Sequence, residues 1–252
     1  VTSQLISGLT CLIYMYKKYD ILKGNKSERV LDRRFITNLC MNGVPMGLQY
    51  SITAIGSTIL QAAVNTLGST YVAAMTAGSK MFNFTCCPFD ALGSTMATYA
   101  GQNVGAAKIK RLGQGVRSAM IIGSVYSVLS LIALYFTTDY IALLFVNASE
   151  TTIIALTRQF ILASACFYIP LTGVNVVRFC IQGMGFSVFA ISAGILEMID
   201  RAFAAIILIP SIGFMGACLA SPIAWIAADA FLFPAFIHCA KKLNARHNIK
   251  SN

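Results

Sequence analysis

Charged side chains are scarce in this chain of 252 residues. Asp, Glu, Lys and Arg make up only 11% of the residues, whereas 57% are hydrophobic. An ordinary soluble domain has about 25% charged residues. This shortage excludes the usual soluble globular protein and indicates a chain that is embedded in lipid over most of its length.

Residues that build enzyme active sites are also few. There are 9 acidic residues, and both histidines, His238 and His247, lie close to the C-terminus. The chain has no His-Glu-x-x-His, no Walker-type phosphate loop and no Ser-His-Asp grouping. Its 8 cysteines show no metal-ligand spacing. We therefore expect no enzyme activity, no catalytic or metal-binding residues and no cofactor.

Long uncharged segments take the place of these motifs. No charged residue occurs in residues 35–79, 118–138, 159–177, 179–196 or 202–228. About 20 apolar residues span a bilayer, and a helix satisfies its own backbone hydrogen bonds in lipid. The pattern predicts an all-α membrane protein with six spans, near 36–64, 70–100, 116–138, 152–181, 186–209 and 214–240. Residues 1–34 are expected to hold the end of a preceding membrane helix and a cytosolic linker.

Proline inside a membrane helix removes a backbone donor and bends or breaks the helix. Pro45, Pro88 and Pro170 fall inside the predicted spans, so bends or breaks are expected there.

Basic residues predict the orientation of these spans. They cluster before the first span, between the second and third, and after the sixth, which places the clusters on one side of the membrane. Because positive loops face the cytosol, we expect a multi-pass protein of the plasma membrane with a basic cytosolic tail at 241–252. The net charge of +10 is then explained by topology and lipid headgroups, and it needs no nucleic-acid partner.

Charges inside the spans are the most informative residues, because burying them in a bilayer is costly. Glu197 and Arg201 are four residues apart and are expected to pair on one helix face. Lys80 is a candidate for a functional role, and the alternative is that its side chain only extends to the outer interface of the membrane. Arg178 and Glu197 are expected to differ in depth by about 10 Å, from the rise of 1.5 Å per residue, so a pair between them is not expected.

Amide side chains inside the spans are further candidates, although hydrogen bonds between helices would also explain them. The predicted substrate- or ion-binding residues are Gln49, Asn65, Lys80, Asp90, Asn175, Arg178, Glu197, Asp200, Arg201 and Asp229.

Several segments together resemble one known family. These are Gly43-Val44-Pro45-Met46-Gly47-Leu48-Gln49, Asn65-Thr66-Leu67-Gly68, Gly101-Gln102-Asn103-Val104-Gly105-Ala106, and Arg178 with Gln182-Gly183-Met184-Gly185. In order and spacing they are similar to the C-terminal lobe of the multidrug and toxic compound extrusion (MATE) family. The resemblance covers residues 35–240 and implies a six-helix transmembrane lobe.

The resemblance also implies a function. Family members are secondary transporters of two lobes that export small cationic amphipathic compounds in exchange for Na⁺ or H⁺. The expected partners are therefore membrane lipid, such a substrate, and an N-terminal lobe that these 252 residues do not contain. A bacterial inner membrane is the expected location. Some members carry a carboxylate on the first helix of this lobe, and residues 35–64 have none, so cation coupling would fall to Asp90, Glu197, Asp200 or Asp229.

Two other functions stay open at this point. One is a flippase of the same superfamily, which moves lipid-linked precursors and would need a groove with many Arg and Lys. The other is a half-lobe that does not transport and acts as a membrane interaction module.

Overall fold

The computed structural model describes residues 2–19 and 32–251, apart from the side chains of residues 38, 42 and 246–251. The predicted cytosolic linker lies largely at 20–31, outside the described residues. Throughout the described ranges the secondary structure is helical, without strands. The helices are α1 (Thr2–Lys18), α2 (Arg33–Asn65), α3 (Ser69–Gly105), α4 (Lys110–Ala142), α5 (Thr151–Ala165), α6 (Tyr168–Gly183), α7 (Ser187–Phe203), a π-helical segment (Ala204–Leu208), α8 (Ile209–Ile212) and α9 (Phe214–Ser251).

The chain divides into two compact units, with the boundary between Met41 and Asn42. In the first unit, α1 ends with Lys17 and Lys18, and Lys18 donates a hydrogen bond to the Tyr14 hydroxyl at 2.9 Å. Basic residues are favourable at a helix C-terminus because they face the negative end of the helix dipole.

The second unit contains the predicted six-helix lobe apart from the first residues of α2, which belong to the first unit. The spans correspond to α2, α3, α4, α5 with α6, α7 with α8, and α9. Helix α3 packs against α4, α5 and α6, and α9 packs against α5, α6 and α7. The all-α membrane fold is therefore confirmed. Among the described helices, α4 and residues 214–245 of α9 are each long and apolar enough to cross a membrane alone, and the α5–α6 pair adds a bent span.

One of the described spans is broken next to a proline. Helices α5 and α6 meet at a bend of 52°, and Pro170 lies four residues after Cys166, the C-terminal cap of α5. The ring of a proline collides with the carbonyl four residues earlier, which explains the break. In the next span the π-helical segment lies just before Pro210, and the helix continues through it. In contrast, α2 and α3 run through Pro45 and Pro88 as single helices, so of the bends or breaks expected at these positions the structure excludes a break.

Small residues bring α3 and α6 close together. A Cβ atom on Gly183 would lie 2.2 Å from the carbonyl oxygen of Ala97 and 2.9 Å from the Cβ of Ala100. Only glycine fits this contact. The core between these helices is closed by Phe89 and Tyr168, whose rings meet edge to face with centroids 5.3 Å apart.

Candidate functional site

A cavity of about 480 Å³ lies inside the lobe. Its wall is built from α2, α3, α5, α6, α7 and α9. The charged residues of the wall are Asp90, Arg178, Glu197 and Arg201. A space of this size falls in the range of small-molecule sites, which are about 300–1,000 Å³. The rest of this wall is apolar or carries neutral polar side chains, so the cavity suits an organic molecule with few charges.

Three charged side chains form one buried cluster in the wall. The Arg178 guanidinium donates to one carboxylate oxygen of Glu197, and Arg201 lies 3.5 Å from the other. All three residues are less than 8% exposed. The expected pair of Glu197 with Arg201 is thus confirmed. Because buried charges are costly unless paired, this shared carboxylate is what allows two guanidiniums inside the lobe.

The pair between Arg178 and Glu197 was wrongly excluded on grounds of depth. Helical side chains lean toward the N-terminus of their helix. Since α6 and α7 are consecutive spans joined by a short turn, Arg178 leans away from that turn and Glu197 leans toward it. The lean of both side chains and the length of arginine offset the difference between the two Cα positions.

Helix α2 closes the cluster on its remaining side. Arg201 donates to the carbonyl oxygen of Thr53 at 3.4 Å. A Cβ atom on Gly56 would lie 3.3 Å from the Met198 backbone and 3.4 Å from the Arg201 side chain. Glycine therefore lets α2 approach α7 closely enough to cover the arginine.

Asp90 is the exposed carboxylate of the cavity. It lies on α3 together with Asn83 and Cys86, which share its face at helical spacing. Within the described parts of the chain, no basic side chain forms an ion pair with Asp90, whereas Glu197 is held by two. A carboxylate of this kind is available to a cation that enters the cavity.

Aromatic and sulfur-containing side chains form the apolar part of the wall. Phe82 stacks on Trp225 with ring centroids 5.8 Å apart and an angle of 9° between the planes. Met75 and Phe160 extend this surface. Such side chains attract organic cations through their π-electrons and adapt to different shapes.

The other predicted site residues are divided between the wall and its surroundings. Asn175 lines the cavity and donates to the backbone of Leu171 at 3.1 Å. Gln49 does not line the cavity; it is buried and accepts a hydrogen bond of 2.6 Å from Gln182. Asn65 is exposed and accepts from Gln61 at 3.1 Å.

Three charged candidates lie outside the cavity wall. Lys80 is exposed and its ammonium group lies 5.6 Å from the centre of the Phe145 ring, next to the loop that follows α4. Asp200 and Asp229 are half-buried on α7 and α9. Each has one carboxylate oxygen that is buried and lacks a hydrogen-bond partner in the described part of the protein.

One polar group in the interior was not predicted. The hydroxyl of Tyr168, which is fully buried, lies 2.8 Å from that of Thr85, and Tyr126 donates to the Thr85 carbonyl at 2.9 Å. These residues join α3, α4 and α6. Single tyrosines in uncharged segments carry no periodic signal, and only the packing of the helices shows that they meet.

The fold and cavity together define a helical membrane lobe with a cavity between its helices that is lined by charged, neutral polar and aromatic side chains. The sequence matches the MatE family over residues 45–199, and the chain belongs to this family. Over 158 residues the chain is 25% identical to the probable multidrug resistance protein YoeA of Bacillus subtilis (strain 168). The matched stretch covers 62% of this chain and 34% of that protein.

Solved structures agree on the fold. A crystal structure of the Vibrio cholerae MATE transporter VcmN in the bent form superposes with a TM-score of 0.82 at 18% identity, over 94% of this chain and 54% of that one. A structure of MATE in complex with MaL6 gives 0.84 at 16% identity, over 94% and 55%. The chain therefore spans about half the length of these structures and about a third of the curated relative.

Proposed function

We propose that this chain is the C-terminal lobe of a secondary transporter that exports cationic amphipathic compounds in exchange for Na⁺ or H⁺. Membership of the MatE family supports transport, and the name of the Bacillus subtilis relative supports drugs as substrates. The N-terminal lobe of the transporter is the expected partner, because the chain covers only about half of the family structures that it matches.

One observation supports a cationic substrate most directly. The cavity brings the exposed carboxylate of Asp90 together with the stacked rings of Phe82 and Trp225. An amphipathic cation would place its charge near the carboxylate and its apolar part on the rings. Of the two guanidiniums in the wall, one is neutralised by Glu197 and the charge of the other is offset by Asp90, so the wall has no net positive charge to repel a cation.

The same cluster argues against a lipid-linked precursor as the substrate. Such a ligand carries phosphates, which are recognised by arginine and lysine side chains that are free to donate. In the described cavity wall the basic residues are Arg178 and Arg201, and both already donate to Glu197. The described wall therefore lacks the many Arg and Lys side chains that such a groove would need.

The experiment compares Asp90→Asn with Glu150→Gln in cells that express the full-length gene product. The intact mass of this product shows whether it contains an N-terminal lobe. Glu150 is an exposed carboxylate in the loop before α5, so its variant makes the same change of charge away from the cavity. We expect ethidium efflux to fall at least tenfold in Asp90→Asn and to be unchanged in Glu150→Gln. Equal efflux in the two variants would refute the role of Asp90, and no efflux in the parent protein would favour the half-lobe that does not transport.

A further inference from the structure

A groove lies between α3 and α4, separate from the cavity. Its volume is about 280 Å³, and it runs from Tyr99 and Gln114 at one end to Leu92 and Ile122 at the other. Among the described residues of the cavity wall none belongs to α4. Tyr99 follows Asp90 by nine residues, which is about two and a half helical turns. The groove and the cavity therefore lie on opposite faces of α3.

The groove has a closed floor and an open rim. Met96 and Ala119 are buried at the floor. A Cβ atom on Gly115 would lie 2.3 Å from the ring of Tyr99, so glycine leaves the space in which this ring packs on α4. The Tyr99 hydroxyl donates to the carbonyl oxygen of Arg111 at 3.1 Å, which holds the two helices together at this end. The exposed rim consists of Thr95, Gln114, Ser118 and Ile122.

The groove crosses the level at which the uncharged part of α4 begins. Residues 118–138 carry no charge, and at 1.5 Å per residue they are about as long as the hydrocarbon core is thick. Large apolar side chains in this part of α4 are about half exposed; they are Ile121, Ile122, Val125, Val128, Leu129 and Ile132. Such a surface belongs in lipid. One end of the groove therefore lies in the hydrocarbon core, and the other lies at the level of the headgroups.

Basic residues lie around the headgroup end of the groove. They are Lys108, Lys110, Arg111 and Arg117. All four are exposed, and within the described ranges none of them forms an ion pair. No acidic residue occurs in residues 91–138. Arg111 begins a row that Ser118 and Ile122 continue at the spacing of one helix face. The positive charge at this end is therefore not compensated by the protein.

From this combination we propose that the groove binds an anionic phospholipid, with an acyl chain between α3 and α4 and the phosphate at Lys110 and Arg111. Arginine and lysine side chains donate to phosphate oxygens, and basic pockets between membrane helices bind acidic headgroups. Helix α4 begins without a side-chain hydrogen bond at its cap, so its first amide groups also favour an anion. The proposal adds a second site to the cavity, and it does not depend on transport.

Native mass spectrometry of the full-length gene product measures the binding. We expect phosphatidylglycerol to bind at least tenfold more tightly than phosphatidylcholine with the same acyl chains. The double variant Lys110→Gln with Arg111→Gln should weaken the binding of phosphatidylglycerol at least tenfold, because two phosphate contacts are lost. Lys241→Gln with Lys242→Gln is the matched control. It removes two adjacent exposed charges from α9, and the affinity should stay within about twofold of the parent.

A second pair of variants tests the apolar part of the groove. Ser118→Phe places a ring at the rim, where it occupies the space of the acyl chain, and phosphatidylglycerol should bind at least fivefold more weakly. Ser211→Phe makes the same change at an exposed serine of α8 and should leave the affinity within about twofold of the parent. Thermal unfolding shows whether both variants are folded.

Photocrosslinking locates the lipid in the parent protein and so does not depend on the folding of any variant. A phosphatidylglycerol with a diazirine in its acyl chain should crosslink to residues 92–99 and 114–122 of the full-length gene product in nanodiscs. Crosslinks that avoid both segments would overturn the proposal, since the N-terminal lobe or a second copy of the chain would then cover the groove.

Two other results would also overturn it. Equal affinity for phosphatidylglycerol and phosphatidylcholine would show that the basic residues do not select the lipid. Displacement of the lipid by an equal concentration of glycerol phosphate, which has no acyl chain, would show that the basic end binds free anions and that the groove contributes nothing.

Discussion

Two buried guanidiniums depend on the single carboxylate of Glu197. Arg178 and Arg201 both donate to it, and each is 7% exposed. Without that carboxylate two positive charges would remain close together in the interior. The cluster joins α6 to α7, and through the carbonyl of Thr53 it also joins α2, so its loss affects three helices at once.

At this scale we expect Glu197→Gln to be strongly destabilising. Breaking a buried ion pair by removing one partner costs about 3–5 kcal/mol, because the charge that remains is buried without compensation. Thermal unfolding in mild detergent, followed by circular dichroism, measures the effect. Glu150→Gln is the matched control, and its stability should differ from that of the parent by less than about 0.5 kcal/mol. If Glu197→Gln and Glu150→Gln unfold at the same temperature, the cluster does not stabilise the lobe.

Single helices show what the sequence alone can predict. The length of the uncharged segments and the polar connections between them were enough to locate the spans. The ends were less well defined, since α3 continues to Gly105 and α4 begins at Lys110, about a turn or more beyond the predicted limits of 100 and 116. Helices extend past the apolar region wherever backbone hydrogen bonds can continue, and hydropathy gives no sign of this.

The candidate site was less predictable than the spans. The charges inside the spans identified Asp90, Arg178, Glu197 and Arg201, and the structure brings all four to one cavity. The pairing of Arg178 with Glu197 depends on the direction in which side chains lean, and the stacking of Phe82 on Trp225 depends on helix packing. Neither is visible in the spacing of residues along one chain.

Close contact between α3 and α6 gives a prediction at the scale of the helix. In Gly183→Ala the added methyl group would lie 2.2 Å from the Ala97 carbonyl oxygen, and the backbones would have to separate. Overpacking of this kind typically costs about 1–3 kcal/mol. Gly113→Ala is the control, because nothing lies within 4 Å of a Cβ atom there, and alanine is a better helix former than glycine by up to about 1 kcal/mol.

Chemical unfolding of both variants in detergent should therefore give changes of opposite sign. A loss of stability in Gly113→Ala as large as that in Gly183→Ala would mean that glycine is required for flexibility, and that the close contact with α3 is not the reason.

For the whole molecule, charge and fold together predict the orientation in the membrane. Lys108, Lys110, Arg111 and Arg117 lie at the connection between α3 and α4 or in the first turns of α4. The opposite end of α4 carries Asp139, which pairs with Arg158, and the following loop carries Glu150. Since excess positive charge faces the cytosol, the first connection should be cytosolic, and so should the C-terminal end of α9.

Cysteine labelling tests this orientation directly. Ala106 and Asn147 are exposed residues at the two ends of α4, and a cysteine at each is read in a background from which the exposed Cys11, Cys40, Cys87 and Cys166 have been removed. In intact cells a membrane-impermeant maleimide should label Asn147→Cys and not Ala106→Cys. In permeabilised cells the maleimide should label both variants. If intact cells label Ala106→Cys and not Asn147→Cys, the lobe that carries Asp90 and the cavity has the opposite orientation in the membrane. The direction of export argued from the family would then be wrong for this protein.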